Sequence, residues 1–99
     1  MSYQIKITSG GSGGWVDGTI NGYRFQAKVF DEPSRFGIHD GRTSKLMIWD
    51  EAERQRARNI FSASLMNYDR GWDIEPEARH KALIDELVSY LENLPPYEN

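Results

Sequence analysis

The chain has no cysteine among its 99 residues. Disulfides, thiolate metal sites and a cysteine nucleophile are therefore excluded. That composition suits a reducing compartment, and a cytoplasmic setting is expected. Histidine is almost as scarce. His39 and His80 are the only two, far apart and without partners at ligand spacing. A zinc helix needs two histidines four apart on one face. The acidic stretch at residues 31–42 breaks the calcium-loop pattern, because Pro33 and Arg35 stand where oxygen ligands belong. Neither a metal nor a cofactor is expected.

Long apolar runs are also missing. None approaches the roughly 20 residues that span a bilayer. The opening MSYQIKITSGG lacks a signal peptide's apolar stretch and cleavage site. No membrane association is expected. Nor is there an excess of positive charge. Residues 1–50 hold six Lys and Arg against five Asp and Glu, residues 51–99 hold six against ten, and the net is −3. Nucleic-acid affinity rests on neutralised phosphates, so a polyanion partner is not expected. Arg54, Arg56 and Arg58 would line up as a basic stripe in extended chain, but Asp50, Glu51 and Glu53 sit beside them.

Motifs for catalysis are absent as well. SGGSGG (9–14) is followed by Trp15-Val16, not by the Lys-Ser/Thr pair of a phosphate loop, and Val16 breaks the dinucleotide fingerprint. GGSGG (10–14) spells G-x-S-x-G, but it lies in a flexible Gly/Ser run with no helix signal after it, whereas a nucleophile elbow needs a strand–turn–helix. The reading leans away from an enzyme.

What the chain does have is aromatic mass: three Trp, five Tyr and four Phe. Large rings supply apolar area to a core that one small domain must otherwise build from few aliphatics. WVDGTI-NG-YRFQAKVF (15–30) reads as a hairpin, because both central residues of a two-residue type I′ turn need positive φ and Asn-Gly provides them. The turn fixes the register. Ile20 pairs with Tyr23, Gly18 with Phe25 and Val16 with Ala27, all on one apolar face with Val29. Thr19–Arg24, Asp17–Gln26 and Trp15–Lys28 occupy the other. SKLMIW (44–49) alternates as a third strand, with Leu46 and Ile48 on one side and Lys45, Met47 and Trp49 on the other.

Residues 50–59 carry two conflicting signals. Asp50 with Glu53 makes a capping box, yet the arginines alternate as in a strand. A fourth strand is expected over NIFSASLMNY (59–68), with helix as the competitor. From Pro76 the signal is helical. Leu83, Leu87, Leu91 and Leu94, with Ile84 and Val88, form one stripe, and Pro95-Pro96 ends it. A helix of roughly 19 residues, about 28 Å long, would cross a small sheet. The expected fold is α+β: an antiparallel meander of about four strands, with YQIKIT (3–8) as a candidate edge strand, and one C-terminal helix on one face. The expected organisation is an N-terminal segment with a flexible Gly/Ser linker over 1–14, one domain over 15–95, and a tail over 96–99.

GWVDGTINGYRFQAKVFDEPSRFGI, GRTSKL and NYDRGWDIEP together resemble a small bacterial and phage domain family of unknown function. The resemblance covers about residues 14–94. It implies a shared fold and no activity. The segment between SKLMIW and NYDRGW is longer than the resemblance implies.

Two candidate surfaces follow. The helix-free sheet face would show Trp15, Lys28, Arg24, Phe30, Met47 and Trp49, a mixture that interface centres favour. It would dock a protein partner or a second copy of the chain, as a non-enzymatic interaction or structural module. The other candidate is the NYDRGW corner. Arg42, Tyr68, Asp69, Arg70 and Trp72 would surround a small molecule or anion there, with Arg70 pairing a carboxylate or phosphate and Trp72 stacking. Each corner residue also has a structural task available: Asp69-Arg70-Gly71 as a tight turn, Trp72 and Tyr68 as a clamp at the helix entry.

Overall fold

The computed structural model describes residues 3–11 and 13–95. Six strands form one antiparallel sheet in sequence order: β1 Ile5–Gly10, β2 Gly14–Ile20, β3 Tyr23–Val29, β4 Thr43–Trp49, β5 Ser64–Asp69 and β6 Trp72–Ile74. A short helix, α1 Glu51–Arg56, sits between β4 and β5, and the longer α2 Lys81–Glu92 covers one sheet face.

The β2–β3 hairpin has the register that its turn dictates, with Trp15 opposite Lys28, Val16 opposite Ala27 and Gly18 opposite Phe25. Asn21 and Gly22 both take positive φ, at 49° and 88°. The Asn21 side-chain oxygen also accepts from the Gln4 backbone amide at 2.8 Å, and the Asn21 backbone amide donates to the Gln4 carbonyl at 3.0 Å. One turn thus closes its hairpin and pins the start of β1. Gly18 meets a second constraint. A Cβ there would stand 2.2 Å from the Lys6 carbonyl oxygen and 2.8 Å from the Phe25 ring.

The sheet is wider than the expected four strands. The candidate strand at the N-terminus is present as β1, paired with β2. The Ser/Gly run therefore spans the end of one strand and the start of the next, with Ser12 outside the described residues. The sixth strand is three residues long, too short to show alternation. Trp72–Ile74 pairs with β5 across the Asp69–Gly71 turn. Positive φ at that turn falls on Arg70, at 56°, and not on Gly71.

The conflict over residues 50–59 resolves toward helix. Asp50 Oδ1 accepts from the amides of Ala52 and Glu53 at 2.9 and 3.2 Å, which satisfies two of the donors that a helix start leaves free. Arg54 then pairs with Glu51 at 3.8 Å, and Arg56 pairs with Glu53. Arg54 and Arg56 answer their own helix's acids rather than forming a stripe, and Arg58 lies beyond the helix. A 3-10 turn at Ile60–Ala63 follows, so β5 begins at Ser64, five residues later than expected.

The C-terminal helix is also shorter than its stripe suggests. The chain stays extended through Pro76 and Glu77, makes a 3-10 turn over Ala78–His80, and becomes α-helical at Lys81. Pairing of β6 holds the chain in the sheet through Ile74, and the crossing to the other layer uses the residues that the proline signal assigned to helix. Twelve residues give about 18 Å of helix. Its apolar stripe is in place. Ile84, Leu87, Val88 and Leu91 pack on Val16, Ile20, Phe25, Leu46, Ile48 and Met66 in one buried core.

Candidate functional site

Alternation along the strands decides what reaches the helix-free face. Residues paired across the sheet share a side, so Trp15 on β2, Lys28 on β3, Lys45 on β4 and Asp69 on β5 form one row. The next row runs through Asp17, Gln26, Met47 and Asn67. Trp15 is 45% exposed and Phe30 39%.

Lys28 and Lys45 are directly opposite each other. Like charges in that position destabilise a sheet. Two effects offset the repulsion. The Nζ of each lysine lies 5.7 Å from the Trp15 ring centroid, and Lys28 is also 5.6 Å from that of Phe30. Ammonium over an aromatic face contributes about 0.5–1 kcal/mol at exposed sites. Lys45 further pairs with Asp69 at 3.7 Å. Lys28 has no carboxylate partner among the described residues. A shallow cavity of about 220 Å³ opens beside the row, lined by Trp15, Gln26, Lys45, Met47, Asp69 and Asp73. Asn67 donates to Asp73 at 3.4 Å on its margin. Trp49 is more enclosed. Its indole N–H donates to Glu51 Oε2 at 2.7 Å, so the first turn of α1 ties it down.

The five corner residues occupy three separate settings. Tyr68 is buried. Its hydroxyl donates to the Phe36 carbonyl at 2.8 Å, and its ring meets Trp72 edge-on at 5.2 Å between centroids. Burial, and secondarily the charge of Asp40, raises the Tyr68 phenol above its ordinary pKa of 10.0. Asp69 turns to the other face toward Lys45, with Arg70 Nε also 3.5 Å from it, and Arg70 is exposed at the turn. Arg42 serves the end of α2. Its Nε donates to the Phe30 carbonyl at 2.7 Å, and its Nη1 donates to the carbonyls of Glu92 and Leu94 at 2.9 and 2.7 Å. The Glu92 carboxylate returns the contact by accepting from the amides of Arg42 and Thr43 and from the Thr43 hydroxyl. This reciprocal lock fills the acceptor demand of a helix C-terminus with a cation, the sign its dipole favours.

Alternation along SKLMIW puts Lys45 on the side of Met47 and Trp49 but does not give its position opposite Lys28. The long connection from Phe30 to Arg42 leaves the β3–β4 register undetermined, whereas a two-residue turn fixes it. The Arg42–Glu92 lock spans fifty positions and has no local signal.

Among the described residues, no three His, Asp or Glu side chains gather as a metal site, and no helix is long and apolar enough to cross a membrane. The fold and the surface together define a small α+β domain with one helix-covered sheet face and one open face bearing aromatic and lysine side chains. The chain belongs to the family described as Domain of unknown function (DUF7678), whose model matches residues 14–92. That span opens at the first residue of β2 and closes at the last of α2, so β1 lies outside it. No curated protein and no solved structure matches the chain.

Proposed function

We propose that the domain is a non-enzymatic interaction module whose helix-free face docks an acidic surface of a protein partner in the cytoplasm. The observation that supports this is the Trp15–Lys28–Lys45 row. Two lysines are held side by side against their mutual repulsion, one of them without a carboxylate, around an exposed tryptophan. An incoming carboxylate would relieve that repulsion and cover the aromatic surface together. Aromatic anchors with charged neighbours are the composition of interface centres. The lack of cysteine supports the cytoplasmic setting.

Site-specific photocrosslinking in the expressing cell tests the reading. A photoreactive residue at position 15 should give a discrete adduct. The same residue at position 86, exposed on the opposite layer, should not, and Lys28→Glu should abolish the adduct. An adduct of twice the chain mass would make the partner a second copy. Equal labelling from both positions, or none from position 15, removes the proposal.

A further inference from the structure

We propose that a second site, on the helix side of the sheet, binds a small aromatic cation: a flat ring bearing a protonated amine. The site is a cleft of about 290 Å³ between the Ile38–Asp40 turn, β6 and α2. That size falls at the lower edge of the range for small-molecule sites, roughly 300–1,000 Å³.

Ile38, Ile84 and Val88 give the cleft its apolar floor, and all three are buried. Trp72 forms a wall and is 42% exposed. Its ring is placed before any ligand arrives, because Tyr68 meets it edge-on and is itself anchored to the Phe36 carbonyl. A fixed indole beside an apolar floor suits a flat ring, and an indole face is also the best aromatic surface for a cation.

Charge at the rim selects the sign. Glu75 and Asp85 present carboxylates and Lys81 one ammonium, with His39 completing the edge. Leaving His39 aside, the net is −1. Neither carboxylate has an ion-pair partner among the described residues, so both are available to an incoming amine. This preference is opposite in sign to that of the Trp15 face.

The backbone that supplies His39 is strained. His39 and Asp40 have φ of 54° and 56°, successive non-glycine residues in the left-handed region. Two tight bonds hold them there, Asp40 amide to Gly37 carbonyl and Gly41 amide to Ile38 carbonyl, both 3.0 Å. Strain of this kind persists only where the surroundings enforce it, and it concentrates at ligand sites. Here it sets Ile38 into the floor and His39 at the rim.

The test is a titration of the full chain, followed by amide and indole nitrogen–proton spectra, with phenethylammonium, phenethyl alcohol and phenylacetate as probes. Phenethylammonium should give saturable shifts at the Trp72 indole and at His39, Ile84 and Asp85, and should bind more tightly than either other probe. Asp85→Asn should weaken it about fivefold, the scale of one exposed charge pair, and Trp72→Leu should abolish it. Because Asp85 is exposed, its variant keeps the test decisive even where Trp72→Leu fails to fold. Phenylacetate binding as tightly as the amine, unchanged affinity in Asp85→Asn, or shifts that cluster at Trp15 would each overturn the proposal.

Discussion

The two faces of the sheet are built from the same strands and held by different physics. On the covered face, Val16, Phe25, Leu46, Ile48 and Met66 meet Leu87 and Leu91 with almost no exposure. Each such side chain contributes about 1.5–3 kcal/mol by leaving water. On the open face the side chains that alternate with the core residues along the strands are Trp15, Gln26, Lys28, Lys45 and Met47. Cross-strand pairs there contribute about 0.2–1 kcal/mol each. One face therefore makes the fold. The other is free to carry chemistry that stability does not require, including a lysine pair that works against it.

Substitutions can break or sharpen that contrast. The largest loss is expected from Leu87→Ala, which leaves a cavity between helix and sheet. About 2–5 kcal/mol should disappear from the unfolding free energy measured in denaturant. A loss below about 1 kcal/mol would mean that the helix does not seal the core as described.

Tyr68→Phe should have an intermediate effect, about 1 kcal/mol, for the hydrogen bond to the Phe36 carbonyl. It also carries a pH signature. The folded phenol titrates above 10.0 because burial, then Asp40, disfavours its anion. The folded state consequently holds a proton that the unfolded chain releases first. The stability tied to this group is fully present below pH 10 and is lost as pH rises through the folded value. Denaturation curves above pH 10 should fall more steeply for the native chain than for Tyr68→Phe. Parallel curves would place the phenol in water.

The smallest effect belongs to Trp15→Ala. Its removal should cost less than about 1 kcal/mol, read in the same denaturant experiment. A loss comparable to that of Leu87→Ala would erase the difference between the faces.

How much of this the sequence carried depends on the range of the signal. The β2–β3 register is legible because Asn21-Gly22 permits one alignment, and the side-chain alternation agrees with it. The α2 stripe is legible for the same reason of local period. At Asp50 two local patterns compete, and the capping bonds to Ala52 and Glu53 outweigh the alternation of arginines. β6 has only three residues, so its existence depends on β5 being there to pair with it. The site follows the same division. Trp15 and Lys28 face each other through a short turn and can be paired on paper. Lys45 joins them through a long loop. Arg42 reads as a ligand-binding cation by type, yet its guanidinium is engaged by the end of a helix fifty positions away. Residue type names a chemistry, and only long-range packing decides whether water, ligand or backbone receives it.

The most direct measurement is the set of proton–proton Overhauser contacts made by the Trp15 indole. Cross-peaks to the side-chain methylenes of Lys28 and Lys45, with none to the methyls of Leu87, are the predicted result. Contacts from Trp15 to Leu87 would put the indole inside the core, reverse the two faces, and contradict the account.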